Sequence, residues 1–270
     1  GQKVRDFIHT AGWVMPMVKW ADDIVNYGDA NGAVEVSVAA WVARTHADPV
    51  AQFIVNEIGA VKHLYGLIWY DASLPMAAPG VELDDVRMRN DIVISRTGWK
   101  VDDNLVALRS GGPANHEHAD RNSVIFKAYG ERLLHDPFRA AYKNTQPRWL
   151  LRQTEAHTAV LINGQGHQYH DGGEGTNASW AFAKVIDYAT GPGWMRVTSD
   201  ATDAYQLVNP EVTRVLRTLV YLKPDVLVVF DLVEAKQLVT VEARFQVNYE
   251  DAAAQVSAVG TRFEITRPSA

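Results

Sequence analysis

Six of the nine histidines fall between residues 116 and 170. The densest stretch is Asn115-His116-Glu117-His118-Ala119-Asp120; a strand-like run follows, then His135-Asp136-Pro137, and later Thr154-Glu155-Ala156-His157-Thr158. If 116–120 is a loop entering a strand and His135-Asp136 leaves the next strand, a hairpin returns both ends to one edge of a sheet. His118 then lies near Asp136 although the two are distant in sequence. Two imidazoles and one carboxylate suit zinc and leave an open position for water or a ligand. The competing reading is of polar residues at strand ends bound to backbone or solvent, because residues two apart on a strand share a face with or without a metal.

Other candidates carry weaker chemistry. His167 and His170 bracket Tyr169 in GQGHQYHDGGEG, a composition that favours a solvated turn over a metal or sugar contact. Trp149, Trp180 and Trp194 have rings able to stack on sugars, but core packing is the expected role of a tryptophan in a β-rich domain. Asp22-Asp23 and Asp29 offer paired carboxylates of the kind used in glycoside hydrolysis; their place in or beside a loop points to solvation or helix capping. The chain has no cysteine, which excludes disulfides, thiolate metal sites and cysteine nucleophiles.

The elements that must position these groups change character along the chain. Ala33–Thr45 (AVEVSVAAWVART) and Asp48–Lys62 (DPVAQFIVNEIGAVK) repeat apolar residues at three- and four-residue spacing, the mark of helices. Asp48 suits the N-cap and Pro49 the first helical position. Around PMAAPG (75–80) short strand-like runs take over: Asp91–Ser95, Leu105–Arg109, Ser123–Tyr129, His157–Ile162, Thr213–Leu222, Val226–Leu232 and Val239–Val247. Several alternate polar with apolar residues, as half-buried antiparallel strands do. VLVVF (226–230) is continuously apolar and is expected at the centre of a sheet, with Lys223-Pro224-Asp225 as the hairpin turn before it. Many short strands in series predict a mainly β α+β chain: helices over 1–75, which look like the end of something larger, and an antiparallel β-sandwich over 76–270.

Composition narrows the partners. A net charge of −6 with 21% charged residues makes a broad nucleic-acid-binding face unexpected, though a locally basic cleft for an acidic substrate remains compatible. No apolar run is long enough to span a bilayer, so no membrane partner is expected. The first residues carry no signal-peptide core, so any export signal lies outside this chain.

The run GGPANHEHADRNSVIFKAYGERLLHDP (111–137) resembles the signature of the heparinase II/III family of polysaccharide lyases. There a Gly-rich turn leads into H-x-H-x-D, then a strand, a Gly-containing turn and an apolar strand ending in D-P. The later QTEAHTAVLINGQGHQYHD resembles the family's second signature, whose histidine opens a strand. The resemblance implies a heparinase II/III-type β-sandwich after the last helices of an incomplete α/α toroid. It carries over His118, Asp136 and His157 as metal ligands, read as holding a structural zinc (Zn2+); His135 and Asp120 are candidates to orient those ligands by hydrogen bonds or, equally, to form a satisfied buried polar pair. It matches His116 to a histidine that faces the substrate cleft in some members, and Tyr142 to the catalytic tyrosine of alginate-lyase-like relatives.

The implied activity is β-elimination on a uronate of an acidic polysaccharide or oligosaccharide, in the periplasm or outside the cell. Alginate, glycosaminoglycans of the heparan type and other uronate glycans all fit. Elimination needs a base for the C5 proton, an acid for the leaving oxygen and positive charge near the carboxylate. Tyr142 and His116 are the proton-transfer candidates. Asn115, Arg139, Arg148 and Arg152 are the substrate-binding candidates, and Lys143 joins the arginines as a source of positive field. Family members take further cleft residues from earlier toroid helices. His9, Tyr27 and His63 lie in the helical part but match no motif. Two other readings stay open: a non-catalytic carbohydrate-binding sandwich with a structural zinc, and a glycoside hydrolase.

Overall fold

The computed structural model describes residues 27, 36–58, 64–112, 118–137, 140–167, 181–249 and 252–268. The helical run expected from residue 33 is described as α1 (Ser37–His46). Asp48 caps α2 (Pro49–Phe53), its carboxylate accepting from Val50 N and Ala51 N at 3.0 Å each, with Pro49 in the first turn. This satisfies amides that a helix start leaves unpaired. A π-helical turn, Ile54–Ile58, continues α2, and α3 spans Leu64–Trp69. Val36, Ala39, Val42, Ala43, Ala51 and Ile54 are among the members of a separate small core for these helices.

The rest is antiparallel β-structure. β1 (Asp85–Arg87), β2 (Ile92–Arg96), β3 (Leu105–Arg109), β4 (Val124–Ala128) and β5 (Glu131–Leu134) form a five-stranded meander. β7 (Lys184–Gly191), β8 (Trp194–Asp200), β9 (Val212–Leu222) and β10 (Val226–Ala235) form a second sheet, with α4 (Thr202–Gln206) between β8 and β9. Two pairs complete the described strands: β6 (Val160–Ile162) with β11 (Val241–Ala243), and β12 (Gln255–Val259) with β13 (Arg262–Thr266).

Alternation explains how the sheets stack. Val93, Val106, Leu108 and Val124 of the five-stranded sheet pack against Val185, Met195, Val197, Leu219 and Tyr221 of the other. Each fully buried Val or Leu on this seam contributes on the order of 2 kcal/mol, which makes the seam the main bond between the sheets. The intervening residues Ile92, Ile94, Leu105, Ala107 and Ile125 point to the opposite face and form another core with Tyr27, Leu83 and Met88 packed on it. The five-stranded sheet is therefore covered on both sides, and every residue of β2 and β3 is buried. This is the antiparallel sandwich expected from the sequence.

One expectation fails. VLVVF lies in β10, which among the described residues pairs only with β9 at the edge of its sheet and is largely exposed or half-buried, whereas β2 and β3 are buried. An apolar run reports β-propensity, but not which neighbour will cover it. β8 escaped the sequence reading because only Met195 and Val197 mark its inward face, the next inward position being Ser199.

Candidate functional site

Local turns bring the histidine segments together. Ala119 N donates to the Arg152 carbonyl at 2.8 Å, tying the His118 segment to the 3₁₀ turn Pro147–Arg152. Asn122 sits in the left-handed region at φ 65°, a conformation asparagine tolerates, and Ser123 N donates to the Asp120 carbonyl at 2.9 Å as the chain enters β4. At the far end of β4, Tyr129 and Gly130 have φ of 54° and 74°, as two-residue hairpin loops require, and Ala128 pairs with Glu131. β5 therefore runs back along β4 and delivers His135 and Asp136 to the end at which the His118 segment enters. A second 3₁₀ turn, Thr154–Ala156, presents His157, whose N–H donates to the Thr154 carbonyl at 3.0 Å.

The result is a buried His118–Asp136–His157 group whose donor atoms all lie within 4.8 Å of one another. The three residues are 1%, 0% and 0% exposed. Asp136 Oδ2 accepts from Ser123 Oγ at 2.6 Å and lies 2.9 Å from His157 Nδ1. The His118 and His157 rings are 5.4 Å apart. Among the described residues, neither Asp136 Oδ1 nor His157 Nε2 has a hydrogen-bond partner. Buried polar atoms are seldom left unsatisfied, so these two fit a bound cation. Ligands of tetrahedral zinc stand about 3.3 Å apart, given bonds of about 2.0–2.1 Å; side-chain shifts of about an ångström suffice to close the group on an ion.

Charged groups surround the donors. Burial opposes the imidazolium of His157 most strongly, but the Asp136 charge and hydrogen bond outweigh it, with help from Asp120 and the Leu151 backbone. His157 is thereby held above the ordinary histidine pKa. Asp120 is itself buried, 2.9 Å from Arg121 Nη1 and 3.9 Å from Arg109 Nε. His135 Nδ1 lies 3.4 Å from Arg132 Nη1, with its ring edge-on to Tyr249 at 6.0 Å.

The catalytic and substrate-binding candidates divide. His116, Asn115 and Arg139 lie outside the described residues, as do His9, His63, His170, Trp180, Asp22, Asp23 and Asp29. Tyr142 is at the surface, 36% exposed, with the Arg152 guanidinium carbon 4.7 Å from its ring centre. Arg152 is buried and lies also 5.7 Å from the Trp149 ring centre. Its Nε donates to the Ala141 carbonyl at 2.7 Å. Arg148 and Lys143 are exposed. Trp149 is buried, in keeping with core packing. His167 is not in a solvated turn: it is buried, its Nε2 accepts from Arg121 N at 2.9 Å, and its ring meets Tyr205 edge-on. A cleft of about 510 Å³ opens beside this region, with Leu150, Leu151, Glu155, Gln246 and Tyr249 in its walls.

Three residues at the centre had no role assigned by the sequence reading, Tyr27 having been named there only as matching no motif. Tyr27 donates to the Ser123 carbonyl at 3.4 Å, and burial, with the charges of Asp136 and Asp120, pushes its hydroxyl well above the ordinary tyrosine pKa. Nothing in its sequence surroundings marks it. Tyr205 donates to the Val160 carbonyl at 2.6 Å, which supports the chain just after His157. Arg217 did carry a signal: it falls in phase with Val215, Leu219 and Tyr221, the inward face of β9. A cation in such a position must find buried partners.

A two-sheet antiparallel sandwich with a buried His–Asp–His group between strand ends defines the class, and comparison with known proteins supplies the family. Residues 87–270 match the model described as heparinase II/III-like, C-terminal, and the chain belongs to this family. Among solved structures, heparan sulfate lyase HepC from Pedobacter heparinus superposes with a TM-score of 0.66 at 15% identity, covering 94% of this chain and 36% of that one. A structure titled heparinase III, the BT4657 gene product, gives 0.63 at 12% identity, covering 92% of this chain and 34% of that one. Another titled heparinase III gives 0.63 at 11%, covering 95% and 37%. The chain thus spans roughly a third of the length of the structures it resembles. No curated protein matches it. Among the described residues, no helix is long and apolar enough to cross a membrane.

Proposed function

We propose that this chain is the C-terminal part of a polysaccharide lyase that cleaves a uronic-acid-containing polysaccharide or oligosaccharide by β-elimination. The observation that carries the reading is the role of Arg152 as a link. Its carbonyl holds the segment of His118, its Nε holds the Ala141 carbonyl, and its guanidinium lies against the Tyr142 ring. The buried group and the candidate base therefore belong to one connected unit. The family's named relatives include heparan sulfate lyases, which supports a glycosaminoglycan of that type as substrate, with alginate as the next candidate.

In this reading His118, Asp136 and His157 hold zinc, whose contribution when bound is to cross-link the three segments without touching the sugar. Tyr142 removes the proton at C5 of the uronate. The electron pair of the broken C–H bond becomes the C4–C5 double bond, the C4–O bond breaks, and the leaving oxygen takes up the proton from Tyr142 or His116. Arg152, buried beneath the Tyr142 ring, acts through its charge, favouring the phenolate. Arg148, Arg139 and Asn115 hold the uronate carboxylate, whose charge rises in the transition state. Residues 1–75 are the end of an α/α toroid and 76–270 the sandwich; earlier toroid helices supply the other cleft wall. The substrate's nature places the enzyme in the periplasm or outside the cell.

The test is to incubate the full-length parent protein with heparan sulfate, alginate and other uronate glycans. An ultraviolet-absorbing unsaturated uronate is expected, abolished in Tyr142→Phe with zinc content unchanged. Chain cleavage without that product would identify a hydrolase, and binding without any product a carbohydrate-binding module; either outcome overturns the lyase reading.

A further inference from the structure

We infer that Arg217, backed by Asp231, is a positioning residue of the His118–Asp136–His157 centre, acting on it from the opposite sheet. The inference rests on the reading of that group as a metal site. Arg217 is 1% exposed and stands opposite Asp231 in the register of β9 and β10. Its Nε and Nη2 meet Asp231 Oδ1 and Oδ2 at 2.7 and 2.8 Å, the forked geometry that fixes a guanidinium plane. Nη1 is left to point into the sandwich. It donates to the Asn122 carbonyl at 2.8 Å and also to the Thr158 carbonyl.

Those two carbonyls are informative. Asn122 precedes Ser123, whose hydroxyl bonds Asp136, and Thr158 follows His157 directly. One nitrogen therefore joins the backbone before Ser123, which holds the carboxylate ligand through its hydroxyl, to the backbone just after a histidine ligand. Tyr205 on α4 adds a third tie from the same side through the Val160 carbonyl. The five-stranded sheet brings the donor side chains together, and the four-stranded sheet fixes the distance between the segments that carry them. Groups that orient metal ligands change metal affinity by about 10–100-fold when lost.

The experiment compares full-length wild type with Arg217→Lys, Arg217→Met, Asp231→Asn and a control, Arg96→Met, which removes a buried arginine at the other end of the five-stranded sheet. Zinc affinity is read by chelator competition, and site geometry by the visible spectrum of the cobalt-substituted protein. All readings are taken below each variant's melting temperature. Arg217→Met is expected to weaken zinc by about 10–100-fold and shift the cobalt bands. Arg217→Lys and Asp231→Asn fall between it and wild type, since lysine keeps the charge but not the fork. Arg96→Met should leave both readouts unchanged. If Arg217→Met does not fold, Arg217→Lys and Asp231→Asn decide alone. Wild-type affinity and spectrum in the Arg217 and Asp231 variants would overturn the inference while leaving the metal reading intact. Equal weakening by Arg96→Met would overturn it too, by tracing the effect to general stability. A wild type that takes up no metal removes the metal reading and this inference with it.

Discussion

At one end of the five-stranded sheet, where β4 begins, two histidines and an aspartate lie buried with donor atoms facing one another. At the other end, where β4 finishes, Arg96 and Lys127 lie buried near Asp84, Asp85 and Asp103. The far end answers cations with anions and a ring. Lys223 Nζ lies 3.0 Å from Asp85 Oδ2, the Arg96 guanidinium carbon is 3.9 Å from the Trp99 ring centre, and Lys127 donates to the Asp103 carbonyl at 3.1 Å. The near end gathers imidazoles around one carboxylate and leaves Asp136 Oδ1 and His157 Nε2 unanswered among the described residues. Burial and charge are common to both ends. Donor type distinguishes the two ends: imidazoles and a carboxylate are groups that can ligate a metal ion, whereas guanidinium and ammonium groups are not.

The contrast is sharpest under metal removal. A structural zinc contributes on the order of 10 kcal/mol of binding free energy, so His118→Ala should lose zinc entirely. By elemental mass spectrometry we expect about one zinc per chain in wild type and none in the variant; equal content would erase the distinction between the ends. Next in size is Arg217→Met, which leaves the buried Asn122 and Thr158 carbonyls without their donor and should destabilise the fold by about 1–3 kcal/mol in denaturant titration.

The far end should answer to pH instead. Burial lowers the Lys127 pKa to about 8, against Asp103, which raises it. The folded state then binds fewer protons than the unfolded one between about pH 8 and the ordinary lysine value of about 10.4, so stability rises with pH across that window. Relative to Lys127→Met, wild type should gain about 2 kcal/mol from about pH 8 to about 10.4. Parallel stability curves for the two proteins would show that burial does not lower the Lys127 pKa in the folded state. The smallest effect belongs to the hairpin connecting the ends. Gly130→Ala forces a side chain into φ 74° and should cost about 1 kcal/mol in melting experiments, with zinc content unchanged.

Much of the ligand end was legible beforehand because its geometry is local. H-x-H-x-D before a strand and D-P after the next need only a hairpin to meet, and Tyr129-Gly130 supplies one. The second histidine signature added His157, though its position beside Asp136 depends on the 3₁₀ turns of 147–156. Arg152 was named both as a substrate contact and as a source of positive field; it is buried, with its guanidinium carbon 4.7 Å from the Tyr142 ring centre. The central place expected for VLVVF failed because the inner strand is the one covered on both faces, and coverage comes from remote segments.

The sequence by itself determined what short-range forces decide: the Asp48 cap, the Pro49 start, the hairpin turns, the alternating faces of β3 and β9, and the set of donors able to bind a metal. Only the tertiary structure decided which strand lies innermost, that Arg152 and His167 are interior, and that Arg217 reaches across to Asn122 and Thr158. Turns and caps are settled within a few residues by backbone sterics and hydrogen bonds. Burial of a charge, and the partners that make it tolerable, are set by whichever distant surface packs against it.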